Sequence, residues 1–128
     1  MSMYINMIMA AKPDPALVER LGRLGGEDSS GCVPEYRDLA EEVLRAPDFP
    51  GALKRIKALA DANRLLAVAL LKRRSELCAC EIQAATGLTH ATVSHHMSIL
   101  ADAGIISARR EGKWMYYRLA ETTGVRIP

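Results

Sequence analysis

The four residues Thr86-Gly87-Leu88-Thr89 constrain this chain more than any other stretch. Glycine tolerates a positive φ at little cost, and threonine is a strong helix N-cap. One helix can therefore close and another open within a single tight turn. Upstream, about Cys78 to Ala85 suits a short helix. Downstream, about His90 to Ala103 places Val93, His96, Met97, Leu100 and Ala103 on one face. Gly104 stands where a helix C′ stop is expected.

After Gly104 the period changes. IISARR-EG-KWMYYRL reads as two strands around Glu111-Gly112. Trp114, Tyr116 and Arg118 fall on one face, and Met115, Tyr117 and Leu119 on the other. Helix, glycine turn, helix and basic hairpin predict a mainly α fold, a winged helix-turn-helix with a two-stranded β-hairpin wing. In that fold the first helix crosses the DNA backbone and the second enters the major groove with its N-terminal residues at base edges. Thr89, His90, Thr92, Ser94 and His95 are the candidate DNA contacts of that helix, to bases or phosphate. Arg109, Arg110 and Lys113, at the hairpin tip, are candidate phosphate contacts. The three histidines all fall on the second helix. His95 and His96 are adjacent and point apart, which is poor metal geometry, so His96 reads as a core histidine. Trp114 and the tyrosines read as packing residues.

The preceding sequence is less regular. Residues 1–15 read as a tail, Ala16 to Leu24 as a short helix, and Gly25 to Gly31 as a flexible loop. A helix is expected from Pro34 to about Arg45, with Tyr36, Leu39, Val43 and Leu44 on one side. Leu53, Ile56 and Ala60 keep helical spacing. Asp61 can cap a helix filled by Leu65, Leu66, Val68, Ala69 and Leu70. The expected organisation is an N-terminal helical extension over residues 1–50, with a sensing arm and dimer helices, and a DNA-binding domain over residues 51–128. Charge divides in the same place. Residues 1–50 carry 5 basic and 9 acidic side chains; residues 51–128 carry 12 and 6, a net of +6. A basic body of this kind meets a polyanion or is simply a solvated surface. No run reaches the ~18 apolar residues of a membrane helix. The apolar start, Met3 to Ala11, lacks a basic leader. Three cysteines with CxC spacing are no secreted disulfide framework, so a cytoplasmic, reduced protein is expected.

Four segments, KALADANRLLAVALL, SELCACEIQAATGL, THATVSHHMSILADAGII and REGKWMYYRL, resemble the ArsR/SmtB metal-sensing repressors over about Leu53 to Ala120. ELCACEI is similar to the ELCVCD segment of the arsenic-sensing and cadmium/lead-sensing branches. The resemblance implies a homodimeric repressor that leaves its operator, a double-stranded DNA site, when a metal or metalloid binds. It also tilts Cys32 toward a ligand role, because the cadmium/lead branch recruits N-terminal cysteines across the dimer. That branch has two of them and this chain has one. The arsenic branch often has a cysteine five residues beyond the first of the CxC, where this chain has Gln83.

Cys78 and Cys80 can be buried small hydrophobes, a redox pair or two arms of a metal site. Soft thiolates suit As(III)/Sb(III) or Pb(II)/Cd(II)/Bi(III) as inducer; zinc usually takes four ligands, and the subunit has three thiols. In a regular helix, residues i and i+2 project ~200° apart, so two such sulfurs do not converge. They converge if Cys78 is the N-cap and Cys80 lies in the first turn. A helix N-terminus also favours thiolate. Cys32 is either a surface thiol or the third donor. A redox input, with Cys32 linked to a CxC thiol as disulfide or polysulfide, remains open. A thiol oxidoreductase is disfavoured, since there is no CxxC and no thioredoxin-like pattern. The chain is read as a regulator, with no catalytic residues and no organic cofactor.

Overall fold

The computed structural model describes residues 14–25 and 32–121. Residues 1–13 of the segment read above as a tail (1–15), residues 26–31 of the one read as a loop (25–31), and the last seven residues lie outside the described residues, while Pro15 and Gly25 are the ends of a helix. The chain divides into two compact units, Met1–Pro50 and Gly51–Pro128.

In the first unit, helix α1 spans Pro15–Gly25 and α2 spans Cys32–Arg45. Asp14 opens α1: its side chain accepts from the Ala16 N–H at 3.0 Å, and its carbonyl accepts from Leu17 and Val18. Pro15 then occupies the first helical position, where a missing N–H costs nothing. On α2, Leu44 is buried, whereas Tyr36, Leu39 and Val43 are more than half exposed. The apolar side expected of this helix exists, but only Leu44 on it is covered.

In the second unit, α3 spans Phe49–Leu59, its first two residues lying before Gly51, and α4 spans Ala62–Arg73. Asp61 caps α4 as expected: its carboxylate accepts from the N–H groups of Asn63 at 2.9 Å and Arg64 at 3.1 Å. The buried face of α4 is Ala67, Val68 and Leu71, while Leu65 and Leu66 are exposed. The unbroken apolar run Leu65 to Leu71 in the middle of this helix carries little sequence record of which stripe faces inward, which explains this difference.

Strand β1, Leu77–Cys78, leads directly into α5, Ala79–Thr86. Gly87 ends α5 at φ 74°, donating its N–H to the Gln83 carbonyl, and Thr89 caps α6, His90–Asp102. Val93, Met97 and Leu100 of α6 meet Ile82 of α5 and Val68 of α4 in the core, with Ile105 and Tyr117. His96, expected inside, is half-buried and held by Arg64, whose guanidinium lies 3.1 Å from its Nδ1.

Strands β2, Ile106–Glu111, and β3, Trp114–Leu119, form an antiparallel hairpin turning through Gly112 at φ 60°. The sheet has three strands rather than two, in the order β1-β3-β2. Leu77 pairs with Tyr117 and Cys78 with Tyr116. A two-residue strand has no alternation to read, so only the fold reveals it. The architecture is a winged helix-turn-helix. Among the described residues no helix is long and apolar enough to cross a membrane.

Candidate functional site

Cys78 holds two positions at once, the end of β1 and the N-cap of α5. Its backbone is extended, at φ −82° and ψ 162°. The Glu81 carboxylate accepts from the Cys78 N–H at 2.9 Å. Cys78 in turn presents its sulfur to the Glu81 N–H, an acceptor too weak to cap as serine or threonine would. This is the S/T-x-x-E capping box with cysteine in the first place. The pattern was present in the sequence as Cys78-x-x-Glu81. Burial, and then the Glu81 carboxylate beside it, push the Cys78 thiol above the usual cysteine range; its contacts to backbone N–H groups only partly oppose this. The expectation that a helix start would favour thiolate is thus outweighed in this state.

Cys80, in the first turn of α5, is exposed. It opens into a cavity of about 290 Å³ whose wall includes His90 and Ser94 of α6 and Arg110, Lys113 and Trp114 of the hairpin. The two thiols therefore meet the backbone condition for convergence, one on extended chain and one on helix. Both are free. Among the described residues, no group of three His, Cys, Asp or Glu side chains stands ready to hold a metal. The donors fit a soft ion in type and fall one short in number. Cys32 begins α2, but its side chain lies outside the described residues.

The candidate DNA contacts separate into groups. His90 and Ser94, one turn apart on α6, share the cavity with Arg110 and Lys113. Lys113 lies 5.6 Å from the Trp114 ring. Thr89 and Thr92 are 2.9 Å apart through their hydroxyls, and Thr89 also caps the Thr92 N–H. His95 is exposed on the outer side of α6. Arg109 stands apart from Arg110, on the opposite face of its strand. Its guanidinium meets Glu76 at 2.6 Å and Glu111 at 2.7 Å and lies over the Tyr116 ring at 4.7 Å. Glu76, then Glu111, raise its already high pKa further, and Arg109 lowers that of Glu76. The three hairpin cations do not form one phosphate-facing set in this state. Arg109 is compensated, while Arg110 and Lys113 pair with no carboxylate among the described residues.

The family described as "Bacterial regulatory protein, arsR family" matches residues 61–108. The arsenic resistance transcriptional regulator ArsR1 of Pseudomonas putida is 40% identical over 79 residues, covering 56% of this chain and 62% of that protein. The cadmium resistance transcriptional regulatory protein CadC of Listeria innocua is 34% identical over 87 residues, covering 67% of this chain and 73% of CadC. The chain belongs to the ArsR family. A solved ArsR-like neighbour, the homodimeric winged helix-turn-helix DNA-binding domain of a possible ArsR-family regulator from Mycobacterium bovis, is 34% identical. It aligns with a TM-score of 0.57 over 62% of this chain and 74% of that one.

The segment that matches the ArsR family holds Cys78, Cys80 and all of α6, and stops before Arg109, Arg110 and Lys113. Three residues of this ArsR-family chain escaped the reading of its sequence. Glu76 neutralises Arg109 from across the sheet. Glu81 sets the environment of Cys78. Arg64 ties His96 to the end of α3 by donating its Nε–H to the Ala58 carbonyl at 2.6 Å. Only Glu81 had a local signal; the other two act over more than thirty residues of sequence.

Proposed function

We propose that this chain is a transcriptional repressor that binds operator DNA as a homodimer and releases it when a soft metal ion or metalloid binds cysteine thiolates. The observation that carries the reading is the position of Cys78 and Cys80, astride the first residue of the helix that braces α6. Cys78 supplies one sulfur from extended backbone and Cys80 a second from the first helical turn. Cys32 is the proposed third donor. As(III)/Sb(III) or Pb(II)/Cd(II)/Bi(III) is the fitting class, since these ions favour thiolate and accept three sulfurs. Binding requires both thiols to lose their protons, and Cys78 starts from a raised pKa. A positive ion beside it offsets both burial and Glu81.

DNA is bound by the N-terminal residues of α6 and by the hairpin, with Thr89, His90, Thr92, Ser94 and His95 toward the groove and Arg110 and Lys113 toward phosphate. Pulling two sulfurs together strains the start of α5. That strain reaches α6 through Ile82, Val93 and Met97, which share the core, and reaches the hairpin through the pairing of Cys78 with Tyr116. The uncovered apolar side of α2, with Tyr36, Leu39 and Val43 exposed, supports association with a second copy.

Mass spectrometry of the reduced chain with arsenite, lead and cadmium, and separately with peroxide, tests the input. Fluorescence anisotropy of a labelled duplex tests the output. Ion binding with DNA release, lost in Cys78→Ser and Cys80→Ser, is the expected result. Release by peroxide alone, with no bound ion, would replace the metal reading by the redox one.

A further inference from the structure

The cavity between α6 and the hairpin places an exposed cysteine beside two cations that have no carboxylate partner among the described residues. Its wall is formed by Cys80 from α5, His90 and Ser94 from α6, and Arg110 and Lys113 from the hairpin. Nearby acidic groups are engaged elsewhere. Glu76 and Glu111 both bind Arg109 on the other face of the sheet, and Glu81 accepts from the Cys78 N–H. Helix α6 begins here, so the positive end of its dipole adds to the field. A space of about 290 Å³ is ample for a phosphodiester group. Everything charged that lines it is cationic or a histidine.

We propose that this cavity seats a DNA backbone phosphate and that Cys80 is part of its wall, so that whatever occupies Cys80 competes with DNA for the same space. The inference rests on the DNA-binding reading above and adds a short-range step to it. Strain at the start of α5 then acts together with direct exclusion. The two cysteines also acquire different duties: Cys78 connects to the sheet, and Cys80 connects to the nucleic acid. An occupant at Cys80 weakens DNA binding according to its charge, because the seat is built for an anion.

The test uses the full chain with Cys32→Ser and Cys78→Ser, leaving Cys80 as the one thiol. Three portions are treated with methanethiosulfonate reagents that leave an anionic sulfonatoethyl, a cationic trimethylammonioethyl or a neutral methyl group. In each case the Cys80 sulfur forms a disulfide with the reagent's outer sulfur, and methanesulfinate departs. Affinity for a mixed-sequence duplex is then measured against salt. The anionic adduct is expected to weaken binding by ~10-fold or more and to reduce the salt slope by about one unit, the loss of one phosphate contact. The cationic adduct, of similar size, is expected to weaken it several-fold less. Adding Arg110→Ala and Lys113→Ala should abolish the difference between the two. Equal loss from all three adducts would mean that the adduct acts through the fold, and the proposal fails. Unchanged affinity and slope for all three also overturns it. If the unmodified chain does not bind duplex even at low salt, the DNA-binding reading itself is wrong, a separate and recognisable result. As a second measurement, saturating duplex should protect Cys80 from iodoacetamide; alkylation at the rate of the free protein overturns the proposal.

Discussion

The Arg109 guanidinium and the Glu76 carboxylate meet at 2.6 Å across the width of the sheet. Glu76 immediately precedes the strand that ends in Cys78, and Arg109 lies near the tip of the hairpin. The pair is partly exposed, so it is weak as a stabilising contact. Its consequence is for charge. A cation that sequence assigns to phosphate is already occupied by two carboxylates of its own chain.

Arg109→Ala should therefore weaken binding to a mixed-sequence duplex less than Arg110→Ala or Lys113→Ala does. Glu76→Gln should leave Arg109 held by Glu111 alone, strengthen binding and steepen the salt slope by less than about one unit. Anisotropy titrations at several salt concentrations read both effects. A larger loss from Arg109→Ala than from the other two would mean that DNA pulls Arg109 away from Glu76.

Alkylation should distinguish the two thiols of the CxC pair. Cys80 is exposed and should react with iodoacetamide ahead of Cys78, which is half-buried with its pKa raised. Glu81→Gln removes the neighbouring negative charge, so the pH profile for Cys78 should move down. Peptide mapping after timed quenching gives both rates, and an upward movement would contradict the assigned cause.

The Arg64–His96 contact fixes a tautomer. Arginine only donates, so His96 Nδ1 must accept and the ring proton must sit on Nε2. Nitrogen chemical shifts in the folded protein should show an unprotonated Nδ1. His96→Leu leaves a charged donor without its acceptor and should cost about 1–3 kcal/mol in urea unfolding.

Leu100 is fully buried at the centre of the core. Leu100→Ala should cost about 2–5 kcal/mol, measured by the same unfolding. A loss under about 1 kcal/mol would mean that α6 is poorly seated on the helices behind it.

Cys32→Ser should lower affinity for arsenite or lead while leaving residual two-sulfur binding with poor DNA release. Thiolate-to-metal absorption follows the stoichiometry. Identical spectra for wild type and variant would remove Cys32 from the site. If the site crosses a dimer, mixing Cys32→Ser with Cys78→Ser/Cys80→Ser subunits should restore one site per heterodimer.

The helix-turn-helix was legible because its signals are local. Gly87, Thr89 and Gly104 act on their own backbone, and the inner face of α6 repeats at helical spacing. The hairpin was legible from alternation and from Gly112. The third strand was not, since two residues show no period and the partner lies about forty residues away. The buried stripe of α4 was hidden by a helix apolar on several sides. At the candidate site, CxC spacing set Cys78 at the N-cap as the condition for the two sulfurs to converge, and the structure has Cys78 there. The cavity at Cys80 and the capture of Arg109 did not, because each depends on elements that only tertiary packing brings together.

The pairing of Cys78 with Tyr116 runs through main-chain atoms, which every amino acid carries. The backbone link between position 78 and the hairpin therefore does not depend on which side chain stands there. On the proposed sensing role, ligand chemistry could be exchanged there, thiol for imidazole or carboxylate, while the strand pairing stayed in place. On that proposal the protein is an adaptable chassis: new inputs could be fitted to an output that need not be redesigned.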